Sequence, residues 1–391
     1  MKVFHQTGHG LNWNIDSFNE GIGDGLIFSP VNIDADKLIG YKKELKETGF
    51  LDPQLYLLNE SKGSIETYPY FPGNLKSDFS TPDLDNDNVV LAKLCIDYQL
   101  KNNFQYLIIP TRYNEDNPSD YLLKCADYFV LPFCDYAKEL KTKKKILLSV
   151  IVKTIMLTDE DKRNEVLNWL TGHLNVDGVY LIFENNFTSK QIKDFDFLFN
   201  ALRFVNILKE NQMEVHIGYN NTEGLLYSIA MPDSITIGSY ENLRSFGIRR
   251  FQETEQGMMR SPNARLYSAK LLQWIDYGYV QSMKQLVPDY ESYFEESKFN
   301  PLDFKPEINW QFKKTEPYKH FFSVFNNQVK NLPTSQIGRI ESVKAQIKMA
   351  ISNFKQIEEF VLLDTNSDGS HLPIWFNTIN AFQKELGKKN V

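Results

Sequence analysis

A carboxylate that directly follows an uncharged apolar run is a first candidate for proton transfer, because partial burial raises its pKa toward neutrality. Glu184 is such a residue: it ends the run VYLIF and is followed by Asn185. Lys153 ends KKKILLSVIV and would stand on the neighbouring strand. The two read either as a catalytic carboxylate with a cation beside it, or as an ion pair on a structural rim. Glycosyl transfer or hydrolysis needs a second carboxylate, and Asp34 and Glu241 are the candidates.

A second group is cationic. Arg244, Arg249, Arg250, Arg260 and Arg265 follow ITIGSYEN in a chain whose net charge is −7. A loop carrying Gly238 and Ser239, with Arg244 expected one turn into a helix, is a pattern that binds phosphate through free backbone N–H groups and a guanidinium. The alternative is a basic surface stripe paired with Glu253 and Glu255. Asn32, Arg112, Tyr113, Asn220 and Asn242 complete the ligand-binding candidates, since each lies just past an apolar run. Asp52 and Gln54 precede or open a predicted strand at 54–58 and are expected on the opposite face.

Other chemistries find little support. The six histidines form neither HxH nor HExxH, and the three cysteines form no CxxC pair, so no metal centre is expected. The segment DTNSDG at 364–369 lacks the closing glutamate of a calcium loop and reads as a turn. Neither a GxSxG elbow nor a Walker loop is present, and no cofactor is expected.

Residues so far apart in sequence share a site only if the fold gathers strand ends. Apolar runs at 26–31, 54–58, 104–110, 143–152, 178–183, 215–218 and 234–238 alternate with helical patterns, and YFVLPF at 128–133 is an ambiguous eighth. This predicts an α/β fold, a TIM-like (β/α)8 parallel barrel spanning 1–259 with an aromatic, Pro/Gly-rich insertion at about 60–87. An open doubly wound sheet alternates in the same way, but no GxGxxG turn follows the first run. Residues 260–391, including ARLYSAKLLQWIDYGYVQSMKQL, read as a mostly helical C-terminal region packed on the barrel.

The expected function is that of a barrel enzyme acting on a phosphate-bearing or glycosidic ligand, nucleotide- or nucleic-acid-derived. Because the chain is acidic overall, nucleic acid would need a local basic patch. Aromatic clusters at TYPYFPG, DYESYF, INWQF and PYKHFF support an alternative, a degenerate barrel that binds a protein partner or a second copy; they equally suit packing between barrel and tail. No apolar run approaches the ~20 residues of a membrane span, and an odd cysteine count makes the cytoplasm the expected location.

Overall fold

The structure is a computed structural model that describes residues 1–115, 119–185, 190–253, 263–299 and 314–389. Eight strands form one parallel sheet in the order β3-β2-β1-β8-β7-β6-β5-β4. They are β1 (Lys2–Gln6), β2 (Gly25–Phe28), β3 (Phe50–Leu51), β4 (Leu107–Ile109), β5 (Ile146–Lys153), β6 (Gly178–Glu184), β7 (Glu214–Gly218) and β8 (Ser234–Gly238). The sheet curls into a nearly closed barrel. At its seam β3 and β4 form no ladder, but Gln105 N–H donates to Gly49 O at 2.9 Å below and Tyr113 N–H donates to Tyr56 O at 2.9 Å above.

The strands form because helices cover the outside while side chains fill the inside, so both faces of each strand are apolar. Strand β5, ILLSVIVK, is buried along all but its two end residues. Inside the barrel, Phe4, Phe50, Tyr106 and His216 make a ring layer with centroids 4.9 to 6.1 Å apart. His216 is thus part of the barrel packing. Its Nδ1 lies 2.8 Å from Ser234 Oγ.

Three expected elements differ. The ambiguous YFVLPF is helical, lying in a π-helical turn (Ala126–Val130) and the helix Leu131–Glu139. The eighth strand is the N-terminal KVFHQ, whose last four residues are buried between β2 and β8. The expected strand at 54–58 lies instead just past β3, so Asp52 follows its strand and faces the carboxyl end. The correction follows from register: Ile27 and Phe28 pair with Phe50 and Leu51.

Among the described residues the regular elements of the C-terminal part are helices and one hairpin of β9 (Arg265–Ser268) and β10 (Gln273–Asp276), antiparallel where a helix was expected. The hairpin packs Tyr267 and Trp274 against Phe321 of the helix Glu316–Lys330, at 5.1 and 4.6 Å. The helix Leu372–Lys389 lies on the barrel helix Phe195–Glu210, where Arg203 Nε donates to Glu385 Oε1 at 2.8 Å. The aromatics of the insertion, Tyr68, Tyr70, Phe71 and Phe79, are buried within the chain. INWQF lies outside the described residues.

Candidate active site over strands six to eight

Above the ring layer the barrel axis turns polar. Asp52 is buried, and its carboxylate accepts from Tyr56 Oη at 2.8 and 2.9 Å and from Tyr219 Oη at 3.2 Å. Burial pushes this carboxyl up to about 6, against the lowering effect of the Tyr56 hydroxyl and the Gln54 N–H. The axis is then closed by rings: Tyr56 meets Phe246 at 5.3 Å and Phe251 at 4.8 Å, and Tyr219 meets Phe246 at 5.5 Å. Phe246 also pairs with Glu184 through a parallel bridge, so the segment after β8 crosses the barrel end. Where barrel enzymes commonly open their site, this barrel is sealed.

A cavity of about 170 Å³ opens to one side, over the carboxyl ends of β6, β7 and β8. Its walls include Asn185, Lys190, Asn221, Glu223, Glu241, Arg244, Arg265 and Trp274. Three cations therefore face two carboxylates. The C-terminal part completes this cavity: Arg265 and Trp274 belong to its hairpin, and Trp375 Nε1 donates at 2.9 Å to the carbonyl of Ile192, which also lines the cavity.

Glu223 is buried, and its Oε1 accepts from the Asn221 N–H at 2.8 Å. Burial pushes its carboxyl up to about 7, although that N–H and the Arg244 charge act the other way. Asn221 is held by Trp274, whose Nε1 donates to Asn221 Oδ1 at 3.1 Å. Glu241 behaves oppositely. Burial alone would raise it, but the Lys190 hydrogen bond and the charges of Arg244 and Arg265 hold it below the usual carboxylate range.

Arg244 is buried with its guanidinium 4.0 Å from the Trp274 ring centroid. Its Nη1 donates to Ser239 O at 2.7 Å, while its Nε has no hydrogen-bond partner among the described residues. Burial draws its pKa down to about 10. The expected helix after β8 is a single 3-10 turn, Glu241–Leu243, too short to present an aligned helix dipole. Gly238 allows this turn to fold back, since a Cβ there would meet Leu243 O at 2.6 Å.

The remaining sequence candidates divide among other places. Glu184 is buried beside the barrel axis, where burial raises its pKa and Tyr113 Oη donates to its Oε2 at 3.3 Å. Lys153 pairs in register with Glu184, but its ammonium donates to the carbonyls of Asn114 and Glu115 and lies 4.3 Å from the Tyr113 ring centroid. Glu184, Lys153 and Arg244 therefore do not share the cavity. Arg112 lines a separate cavity of about 220 Å³ with Asn114, Tyr121 and Cys125. Asn32 and Arg250 meet over β1 and β2, where Arg250 Nη2 donates to Asn32 Oδ1 at 2.8 Å.

Asp34 caps the helix Ala35–Ile39 by accepting from the Asp36 N–H at 2.9 Å. Asn220 clips β7 to β8: its amide donates to Thr236 O at 2.9 Å and accepts from the Thr236 N–H at 2.9 Å. Asn242 and Arg249 are exposed, and Arg260 lies outside the described residues. Glu223, Lys190 and Trp274 are cavity residues that sequence reasoning did not select. Only Glu223 carried a signal, as the charge in NNTEG just past β7.

Fold and cavity together define a (β/α)8 barrel with a charged recess at the carboxyl ends of three adjacent strands. No protein-family model, curated protein or solved structure matches the chain. Among the described residues no helix is long and apolar enough to cross a membrane, and no group of three or more His, Cys, Asp or Glu side chains could hold a metal ion.

Proposed function

We propose that this chain is an enzyme that acts on a small glycosidic or phosphate-bearing ligand in the cavity over β6 to β8. Glu223 delivers a proton to the leaving oxygen, and Glu241 acts as the ionised partner. The observation that carries this reading is the contrast between two carboxyl groups lining one cavity, one held protonated near neutrality and the other held ionised. Two titratable groups pushed apart by their surroundings mark an acid and a base. Trp274 supplies an apolar face to one wall, and Arg244, Arg265 and Lys190 supply positive charge. Screening nitrophenyl glycosides and phosphate esters tests it. Turnover that falls at least ~100-fold in both Glu223→Gln and Glu241→Gln supports the assignment; turnover unchanged in both removes it.

The sealed barrel axis favours a second reading, a barrel whose central site is degenerate and which serves as an interaction subunit. Light scattering across a range of chain concentrations tests this, since a second copy or partner would raise the mass.

A further inference from the structure

Two cations in the cavity wall, Arg244 and Arg265, feel the charge of Glu241 without a direct ion pair among the described residues. Among the described residues neither Arg244 nor Arg265 forms an ion pair; Arg244 donates to Ser239 O and Arg265 Nη1 donates to Asn366 O at 3.4 Å. Lys190, by contrast, is bonded to Glu241. A buried guanidinium is costly unless its charge is compensated and its N–H groups are bonded. Arg244 is 6 % exposed, stacked on Trp274, and its buried Nε has no acceptor among the described residues. With Glu223 neutral, the cavity walls carry Lys190, Arg244 and Arg265 against Glu241 alone, a surplus of positive charge.

We propose that the Arg244–Arg265 side of this cavity is an anion subsite that takes the tetrahedral oxyanion of a phosphate-bearing ligand, with its oxygens accepting from the two guanidinium groups. The proposal rests on the same cavity as the reading above and adds which group of the ligand lies there. A tetrahedral oxyanion fits the observations because its oxygens can accept from two guanidinium groups at once.

The subsite brings a second consequence. Glu223 and Arg244 line the same cavity and interact electrostatically, with Glu241, Lys190 and Arg265 as the other charged groups of its walls and Tyr227 as a titratable neighbour of Glu223. An anion bound beside Glu223 disfavours its ionisation, so anion binding and protonation of Glu223 promote each other. A phosphate-bearing ligand would thereby keep the acid of the proposed reaction in its proton-carrying form.

Calorimetry on the full chain tests this with sulfate, whose charge does not change between pH 6 and pH 8, and with acetate as the planar alternative. Sulfate should bind at one saturable site, about tenfold more tightly at pH 6 than at pH 8. Arg265→Gln and Arg244→Lys, each checked for a native circular dichroism spectrum, should weaken it at least ~10-fold, a loss of about 1.4 kcal/mol. Glu223→Gln should bind sulfate well at both pH values. Absence of saturable sulfate binding, or binding that survives Arg265→Gln and Arg244→Lys undiminished, overturns the proposal. Saturation by acetate without sulfate overturns the phosphate assignment and points to a carboxylate ligand. Sulfate binding in a chain that turns over no glycoside or phosphate ester leaves the subsite standing while the catalytic reading fails.

Discussion

Arg244 and Phe246 lie two residues apart on the segment after β8 and face different compartments. Arg244 stacks on Trp274 in the side cavity, 4.0 Å from the ring centroid, while Phe246 stands against Tyr56 at 5.3 Å and closes the barrel axis. One short segment both seals the usual opening and furnishes the recess beside it. The two compartments hold different carboxylates, Asp52 within the axis and Glu223 in the recess, and the two should respond differently to mutation.

Glu223 should leave a signature in stability against pH. Its folded pKa of about 7 lies above its ordinary 4.5, so the folded state holds this proton where the unfolded chain has lost it. Stability from this group is full below about pH 4.5, falls as pH rises through 7 and is level above. The difference amounts to about 3 kcal/mol at most. Urea midpoints for the wild type and Glu223→Gln between pH 4.5 and 8.5 should converge toward the acid end and separate toward the alkaline end in favour of the variant; parallel profiles would contradict the assignment.

Asp52→Ala should be costly, because the hydroxyls of Tyr56 and Tyr219 lose their acceptor in a buried site. The expected loss is about 2–4 kcal/mol by chemical denaturation. Asp52→Asn keeps an acceptor and removes the buried charge, so at pH 8 it should cost less than half as much. Equal losses would show that the charge itself is needed.

Phe246→Ala removes the ring shared by Tyr56, Tyr219 and Phe251. A loss of about 3–5 kcal/mol is expected, as for other buried aromatic truncations. A loss below 1 kcal/mol would mean that the axis is not closed in solution.

Asn220→Ala should separate the upper ends of β7 and β8, where the ladder pairs only His216 with Ser234. Without the amide, Thr236 loses partners for both its N–H and its carbonyl, at an expected cost of about 2–3 kcal/mol. Asn220→Asp should be no better, since a carboxylate would face the Thr236 carbonyl. Hydrogen exchange at the Thr236 amide reads the effect directly, and unchanged protection in the Ala variant would remove the clip.

The sequence alone marked a parallel α/β sheet covered on both faces, because such strands must be continuous apolar runs, as in ILLSV, VYLIF and SITIG, and it favoured a barrel; the strand order and the contacts at the seam decide closure over an open doubly wound sheet. It also marked Glu241 and Arg244 as polar residues past a strand that ends in glycine. The sequence offers YFVLPF as an ambiguous eighth strand and does not single out KVFHQ: a short apolar run has no decisive period, and the pairing of β1 with β2 and β8 settles the matter. The shift of β3 from 54–58 to Phe50–Leu51 has the same origin, since Leu55 and Tyr56 owe their apolar character to packing near the barrel mouth. The recess needed the tertiary structure most. Trp274 reaches Asn221 across 53 residues of chain through a hairpin that the sequence presents as a helix, and that contact holds the loop bearing Glu223. Local pattern reports which residues want burial, whereas the environment that separates two carboxyl pKa values is made by whichever distant groups the fold brings beside them.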